Sequence, residues 1–479
     1  MQPALSWFSR ERFAIVMLFS GILLAACLIP AQSDTWWQLR AGEEMWRTGR
    51  VMLHDEFTHT VSGGPWPNHE WLSHVVFYGL FSLGGLPLLT AFCAGAITLA
   101  WIVVFRLIEG PLLFRVAAVG FGALFSSPGW CLRPQVLTLA LVAITLWILV
   151  RRRFVPLLPV IFVLWANLHG AVALGGVLVS AAWVSCVVTD RRPLPAFSIV
   201  AGLCLAATAS TPLGFSLWLE VPHSLQRLKE YGVNEWRAPS LTIIGDLPFW
   251  GAAAATAALA WINRERLHAH QTLVLTLSAG LLFILATRSI RNVPPFLVVA
   301  LPAAAALARL GAAGEREVRR PVRWQLMLNA ITLTTVLVGG VAFVVIAWRT
   351  PIPRLAWNPV PPAAVAALEW CPGPLYNRYD EGGYLIWFVR DRKVFMDSRQ
   401  DPFPEELVKA HIELERTGEY RPLFDRYAIA CALSAQGTPV ARRLEADGWS
   451  ARSAGQGWNV YRRPDVLDSE MALRPPGDD

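Results

Sequence analysis

The residues best suited to chemistry in this chain stand at the ends of apolar runs. Asp34 opens Asp34-Thr35-Trp36-Trp37-Gln38 after one long apolar stretch, and Glu70 closes Asn68-His69-Glu70 before another. A carboxylate held on an acceptor hydroxyl gains proton affinity as the new bond forms, which is the work of a general base. Arg133, Arg288 and Arg291 stand in other turns, and a guanidinium fork matches the oxygens of a phosphate. His169 ends Trp165-Ala166-Asn167-Leu168-His169, and a later loop carries His223, Lys229 and Asn234-Glu235-Trp236-Arg237. Further on come Tyr379-Asp380-Glu381-Gly382-Gly383-Tyr384 and Asp397-Ser398-Arg399-Gln400-Asp401. Trp36 and Trp37 offer aromatic faces to a ligand. Each has a plainer reading when taken alone. Asp34 fits a helix cap, the Trp residues an interface belt, and Arg288 and Arg291 anchors to lipid headgroups. His169 fits a satisfied structural group, and Gly382-Gly383 with Asp397 a turn and a salt-bridged corner. Their joint placement carries the functional reading.

The elements that position these groups follow from composition. Of 479 residues 54% are hydrophobic and only 16% charged, and the mean hydropathy is +0.42. A soluble globular chain carries about 25% charged residues. Disorder, a secreted disulfide scaffold and a cytosolic enzyme are excluded, and the chain reads as a polytopic α-helical membrane protein. A crossing needs about 20 mostly apolar residues. Runs of that quality lie near 13–31, 87–105, 111–127, 135–150, 154–167, 170–189, 194–212, 247–262, 271–287, 293–310 and 325–348. A further segment, 71–84, is apolar but short.

Basic clusters set orientation. They are Arg10/Arg12, Arg106/Arg115, Arg151–Arg153, Arg191/Arg192, Arg264/Arg266 and Arg316/Arg319/Arg320/Arg323. All fall on the cytoplasmic side if eleven segments cross and 71–84 lies in the outer leaflet. The net charge of +7 is then an orientation signal, and no nucleic-acid partner is expected. The N-terminus is expected in the cytoplasm and the C-terminal part outside. Leu24-Ala25-Ala26-Cys27 matches a lipoprotein cleavage box, yet such boxes arise easily in Leu/Ala-rich helices, so the first helix reads as a retained anchor.

Composition divides the chain into a membrane domain, 1–349, with juxtamembrane helices in an external loop 32–70, and an extracytoplasmic α/β domain, 350–463. The tail 464–479 reads as disordered. In the second domain, 361–370 and 404–416 are expected as helices, and Lys393–Met396 and Trp458–Tyr461 as strands. Cys371 and Cys431 are either a disulfide or two buried thiols. Gly382-Gly383 suggests a tight turn or a close backbone approach. Neither HExxH nor a Cys/His ligand spacing is present, so no metal site is assigned and any cofactor stays open.

This layout resembles the GT-C superfamily of integral-membrane glycosyltransferases. A first span ends in an acidic residue, a juxtamembrane helix follows, and an apolar helix is entered through a polar motif. The stretch Asn68–Tyr78 sits where the mannosyltransferase and aminoarabinose-transferase branches carry a Lys/His-Pro-Pro element. The segments around Asp34, Glu70, His169 and Tyr379 resemble a set of uncharacterised bacterial GT-C-like proteins. The resemblance implies a polyprenyl-phosphate or pyrophosphate sugar donor and a lipid, glycan or protein acceptor. It implies Asp34 as the base, Glu70 as a second carboxylate that orients the acceptor or binds a metal, and Arg288 or Arg291 on the lipid phosphate. The remaining substrate-binding candidates are Trp36, Trp37, His69, Arg133, His169, Glu235, Trp236, Tyr379, Asp380 and Asp397. Two departures stand out: the Pro-Pro element is absent, and Arg133-Pro134-Gln135 replaces an acidic residue common in the second external loop. The expected function is therefore sugar transfer at the outer face of the membrane. A transporter or flippase, which predicts an inverted repeat not found here, and a non-catalytic scaffold in envelope assembly are the competing readings.

Overall fold

The computed structural model describes residues 9–219, 234–308, 322–349, 355 and 359–464. His223, Lys229 and all of the tail beyond Pro464 lie outside the described residues. In chain order the helices are α1 (Arg10–Ala26), α2 (Ser33–Thr48), α3 (Trp71–Leu107), α4 (Leu112–Ser126), α5 (Gln135–Arg151) and α6 (Leu158–Leu168). Then come α7 (Val172–Thr189), α8 (Leu194–Ala207), α9 (Leu247–Ile262), α10 (His270–Ala286), α11 (Val293–Ala308) and α12 (Arg323–Arg349). The last part adds α13 (Pro362–Ala367), α14 (Tyr379–Phe388), α15 (Glu405–Thr417), α16 (Arg421–Arg426) and α17 (Pro439–Ala446). Its strands are β1 (Leu375–Tyr376), β2 (Cys431–Ala435), β3 (Ser450–Ser453) and β4 (Trp458–Arg462).

Contacts divide the chain into two compact units. One is Met1–Pro30, Leu80–Val221 and Gly232–Leu355; the other is Ala31–Gly79, Pro222–Tyr231 and Ala356–Asp479. The loop expected to belong to a 1–349 membrane domain thus shares a compact body with the C-terminal segment.

The first unit is helical. Among the described residues, five helices are long and apolar enough to cross a membrane: Trp71–Leu107, Leu112–Gly129, Val172–Thr189, Ile290–Ala308 and Arg323–Arg349. Shorter apolar helices occupy other expected runs. Apolar residues all round these helices suit a lipid solvent, where each backbone group must be satisfied within its own segment. Small residues let neighbours come close: Gly175 of α7 lies against the rings of Phe162 and Trp165, where a Cβ would stand 2.8 Å from each. Phe249, Phe283 and Phe296 lock α9, α10 and α11 together, with ring centroids 5.2–6.1 Å apart. Helix α3 is broken at Gly84-Gly85, and Gly85 takes φ +64°, a left-handed conformation that suits glycine. The short apolar segment 71–84 and the long run after it are therefore separate helical pieces, as their sequences suggest.

In the second unit the sheet has the order β1-β2-β4-β3, with β1 parallel to β2 and the other pairs antiparallel. Its apolar core is built from Tyr376, Phe395, Phe403, Leu407, Phe424 and Tyr461 with their neighbours. Cys371 and Cys431 form a disulfide, which decides between the two expected states. Trp458–Tyr461 is a strand as expected, but Lys393–Met396 is not. Val394 makes only a single parallel bridge, with Thr58. Its backbone bonds run to Phe57 and His59 at 3.0 and 3.1 Å, so the loop before α3 takes the partner groups a sheet strand would have used. Thr60 donates to the Phe395 carbonyl at 2.6 Å, and His59 Nε2 bonds that of Leu375 at 2.9 Å.

Helix α14 packs on α2. Gly383 stands where a Cβ would collide with the Ser33 carbonyl, and Gly382 where one would collide with that of Met396. Of the two readings of this pair, close backbone approach is the one realised, and both glycines sit inside a helix.

Candidate functional site

The sequence-derived residues fall into two groups. Asp34, Trp36, Trp37, His69, Glu70, Tyr379, Asp380 and Asp397 lie in the second unit, and Arg133, His169, Glu235, Trp236, Arg288 and Arg291 in the first.

In the second unit everything turns on Asp34. It lies in the first turn of α2, where the helix dipole favours a carboxylate. It is not the cap. That position is Gln32, whose backbone N–H is taken by the Thr35 hydroxyl at 3.0 Å. The Asp34 carboxylate instead accepts from the Ser398 hydroxyl and from Trp37 Nε1, the latter at 3.2 Å. Trp37 Nε1 also reaches the Ser398 oxygen at 3.2 Å, and Ser398 lies 3.1 Å from the Ser33 hydroxyl. The 397–401 segment is thereby brought onto the start of α2.

Three further anchors hold that segment. Arg399, fully buried, is shared between Asp397 and Asp55. Its Nε and Nη2 reach Asp397 at 2.8 and 2.7 Å, and its backbone N–H donates to the same carboxylate at 2.9 Å. Burial opposes charge on the guanidinium, but the two carboxylates raise its proton affinity above the usual value. The guanidinium also lies 4.7 Å from the Trp66 ring centre and 5.1 Å from that of Phe57. Gln400 takes φ +65°, an uncommon conformation for a side-chain-bearing residue. Its amide donates to the Tyr379 hydroxyl, which donates to the Ser398 carbonyl at 3.1 Å. Asp401 approaches His69 Nδ1 at 3.9 Å, and Glu70 approaches His69 Nε2 at 3.7 Å. Burial, with the charges of Asp34, Asp397 and Asp380, pushes the Tyr379 phenol well above its usual range.

Trp36 has a different fate from Trp37. It packs among Tyr384, Trp387 and Phe388 of α14, with ring centroids 5.0–6.3 Å away. It is buried and anchors α14 to α2, so it presents no open face to a sugar. Asp380 is exposed, and its carbonyl accepts from the Ser33 hydroxyl at 2.8 Å. Asp397 is buried in the triad with Arg399 and Asp55; among the substrate-binding candidates it is a structural partner.

In the first unit Glu235 is the centre. Arg133 grips it with both terminal nitrogens, at 3.0 and 3.3 Å, and Arg291 stands 4.0 Å away. Burial pushes the Glu235 carboxyl up, but the two arginines outweigh it and hold the group below its usual range. Arg291 also lies 4.9 Å above the Trp236 ring, and its Nη2 is 3.4 Å from His169 Nε2. Guanidinium can only donate, so Nε2 accepts and the ring proton sits on Nδ1. That proton is donated to Thr138 Oγ1 at 2.8 Å, an oxygen that also accepts from Trp165 Nε1 at 3.0 Å. The Ser289 hydroxyl donates to the Glu235 carbonyl at 3.1 Å, tying the loop before α11 to the loop before α9. Arg288, named with Arg291 as a phosphate ligand, is exposed.

Sequence reasoning missed Thr138 and set no role for Asp55, Ser398 or Arg399. The run Asp397–Asp401 carried a signal in its alternating charge and polar residues; Thr138, inside an apolar helix, carried none. Among the described residues no group of three His, Cys, Asp or Glu side chains is arranged to hold a metal ion.

Solved membrane-protein structures share the fold of this chain. The archaeal oligosaccharyltransferase AglB from Archaeoglobus fulgidus, in complex with an inhibitory peptide and a dolichol-phosphate, matches at TM-score 0.58 and 12% identity. That match covers 90% of this chain and 70% of the other. The arabinofuranosyltransferase AftD from mycobacteria matches at TM-score 0.55 and 18% identity, over 95% of this chain and 40% of that one. No protein-family model and no curated protein sequence matches the chain.

Proposed function

We propose that this protein transfers a sugar from a polyprenyl phosphate to an acceptor at the outer face of a bacterial inner membrane. The observation that carries the reading is the Asp34 carboxylate holding a hydroxyl, that of Ser398, in a chain with the fold of membrane glycosyltransferases. In the reaction, Asp34 accepts the proton of the acceptor hydroxyl while the oxygen attacks the anomeric carbon. The bond from that carbon to the phosphate oxygen breaks, and the lipid phosphate leaves with the electron pair. In the first unit, Arg133 and Arg291 flank Glu235, and guanidinium groups of this kind suit a lipid phosphate. The AglB neighbour holds a dolichol-phosphate, the class of lipid phosphate that leaves in this reading. His69 and Glu70 serve to orient the acceptor.

Two further observations support an extracytoplasmic C-terminal domain. The Cys371–Cys431 disulfide suits an oxidising compartment. The basic clusters fall on one side when eleven segments cross.

The test is transfer by the full chain in lipid nanodiscs. Radiolabelled undecaprenyl-phosphate glucose, mannose and arabinose serve as donors, and a membrane extract supplies acceptors. Asp34→Asn is expected to abolish transfer while inserting normally, and Arg291→Ala to raise the KM for the donor. Retained transfer in Asp34→Asn would remove Asp34 from the base role.

A further inference from the structure

Trp37 of α2 and Trp66 of the loop before α3 lie with ring centroids 5.9 Å apart. The His74 ring stands 5.2 Å from the first and 6.2 Å from the second, at 19° to its plane. Three further polar side chains gather round these rings. The Arg399 guanidinium lies 4.7 Å from the Trp66 ring centre. Asn68 follows in the same turn, its backbone N–H donating to the Trp66 carbonyl at 2.8 Å. Gln38 shares a face of α2 with Gly42, one turn on, where a Cβ would collide with the His74 carbonyl. Gln38, Asn68, His74 and Arg399 are each more than nine-tenths buried. Yet both amide atoms of Asn68, both ring nitrogens of His74, Gln38 Oε1 and Arg399 Nη1 meet no hydrogen-bond partner among the described residues. Such groups are costly to bury unpaired, and folded interiors pair nearly all of them.

The chemistry of the set names what would pair it. Arg399 Nη1 and Asn68 Nδ2 can only donate, Asn68 Oδ1 and Gln38 Oε1 can only accept, and an uncharged imidazole does one of each. Donors and acceptors are therefore balanced. A hydroxyl both donates and accepts, so a polyol satisfies both halves of the set. A phosphate or carboxylate brings acceptors only, and would set lone pair against lone pair at Asn68 Oδ1 and Gln38 Oε1. The indole faces, negative at their centres, suit the C–H bonds of a sugar ring.

We propose that Gln38, Asn68, His74 and Arg399 bind one uncharged sugar residue against Trp37 and Trp66, selecting it by its hydroxyls. The inference deepens the sugar-transfer reading and rests on it. Trp37 joins the two, because its Nε1 reaches Asp34 at 3.2 Å. A sugar held on these rings lies one side chain from that carboxylate. It belongs either to the lipid donor or to a glycan acceptor.

The experiment uses the full chain in nanodiscs and reads binding and Tm beside transfer. The probes are radiolabelled undecaprenyl-phosphate glucose, mannose and arabinose, bare undecaprenyl phosphate, and octyl glucoside below its micelle concentration. Asn68→Leu removes two of the unpaired atoms. It should raise the Kd for a sugar-bearing probe about ten- to thirtyfold, the worth of two hydrogen bonds. Bare undecaprenyl phosphate should bind as it does to wild type. The Tm should hold or rise, because an apolar side chain replaces an amide that has no partner in the protein. His74→Phe, which keeps the ring contacts, should behave alike. Weakened undecaprenyl-phosphate sugars assign the site to the donor; weakened octyl glucoside with the donors unmoved assigns it to the acceptor, and each supports the proposal. Unchanged affinity for every sugar probe would overturn it, and a lowered Tm beside that result would leave only bound water in the site. An equal loss of bare undecaprenyl phosphate would overturn it too, since the sugar would then not be what is read. A wild-type chain that neither binds nor transfers any of these sugars would instead overturn the sugar-transfer reading beneath.

Discussion

Replacing Arg399 by Met puts the organisation of the second unit to the test. The guanidinium is fully buried and holds two fully buried carboxylates, Asp55 from the loop before α3 and Asp397 from the segment that reaches Asp34. Removing it leaves two like charges facing each other without solvent. Breaking a buried pair in this way costs about 3–5 kcal/mol, which for a unit of this size corresponds to a fall in Tm of roughly 6–20 °C. The assay is the unfolding transition of the full chain in detergent, followed by intrinsic fluorescence and by protease resistance of the C-terminal part. The loss should shrink as pH falls toward 5, because protonation relieves the orphaned carboxylates. The triple variant Asp55→Asn, Asp397→Asn, Arg399→Met should recover most of the loss, since it leaves no buried charge behind. A single variant within about 1 kcal/mol of wild type would refute the reasoning, being no more than an exposed pair contributes. So would a triple variant no more stable than the single.

Other consequences follow from particular groups. Glu381 is buried in α14, and burial outweighs the Arg378 charge and lifts its carboxyl to about 7. Its contribution to stability is present in full below its ordinary value near 4.5 and is lost as pH rises toward 7, a total of about 3 kcal/mol. Glu381→Gln should therefore flatten the pH profile of the Tm and raise the Tm at pH 8; an unchanged profile would contradict the burial argument. The Cys371–Cys431 disulfide closes a separation of 60 residues, so the Cys371→Ser/Cys431→Ser variant should lose about 4 kcal/mol by chain entropy. The measurement is denaturant unfolding of that variant beside wild type, and equal midpoints would count against it. Gly383→Ala drives a methyl into the Ser33 carbonyl. It should loosen α14 from α2 and lower transfer along with Tm, whereas the same change at Gly245, which meets nothing within 4 Å, should do neither.

Hydropathy and charge placement determined a great deal. The apolar runs had to become helices, because in lipid a backbone must satisfy its own hydrogen bonds. The change of composition after Trp348 set 350–463 apart from the apolar runs, since it carries the charge and turn residues that a bilayer excludes. Asp34, Glu70, Arg133, His169 and Arg291 were legible as candidates because polar groups beside apolar runs are expensive to place. Partners were not legible. Nothing near Asp34 in sequence announces Ser398, and nothing near Arg133 announces Glu235, since each pairing spans more than a hundred residues of chain. The same holds for Trp36 and Trp37, which are neighbours in sequence. A helix turns them to different faces, so one is packed among the rings of α14 and the other bonds Asp34. Sequence assigned the 32–70 loop to the membrane half because it lies between apolar runs. Tertiary structure joined it to the C-terminal segment, through Asp55, Thr58 and Thr60. The physical reason is that buried charges and unpaired backbone groups must find partners wherever the fold supplies them, and order along the chain does not say where that is.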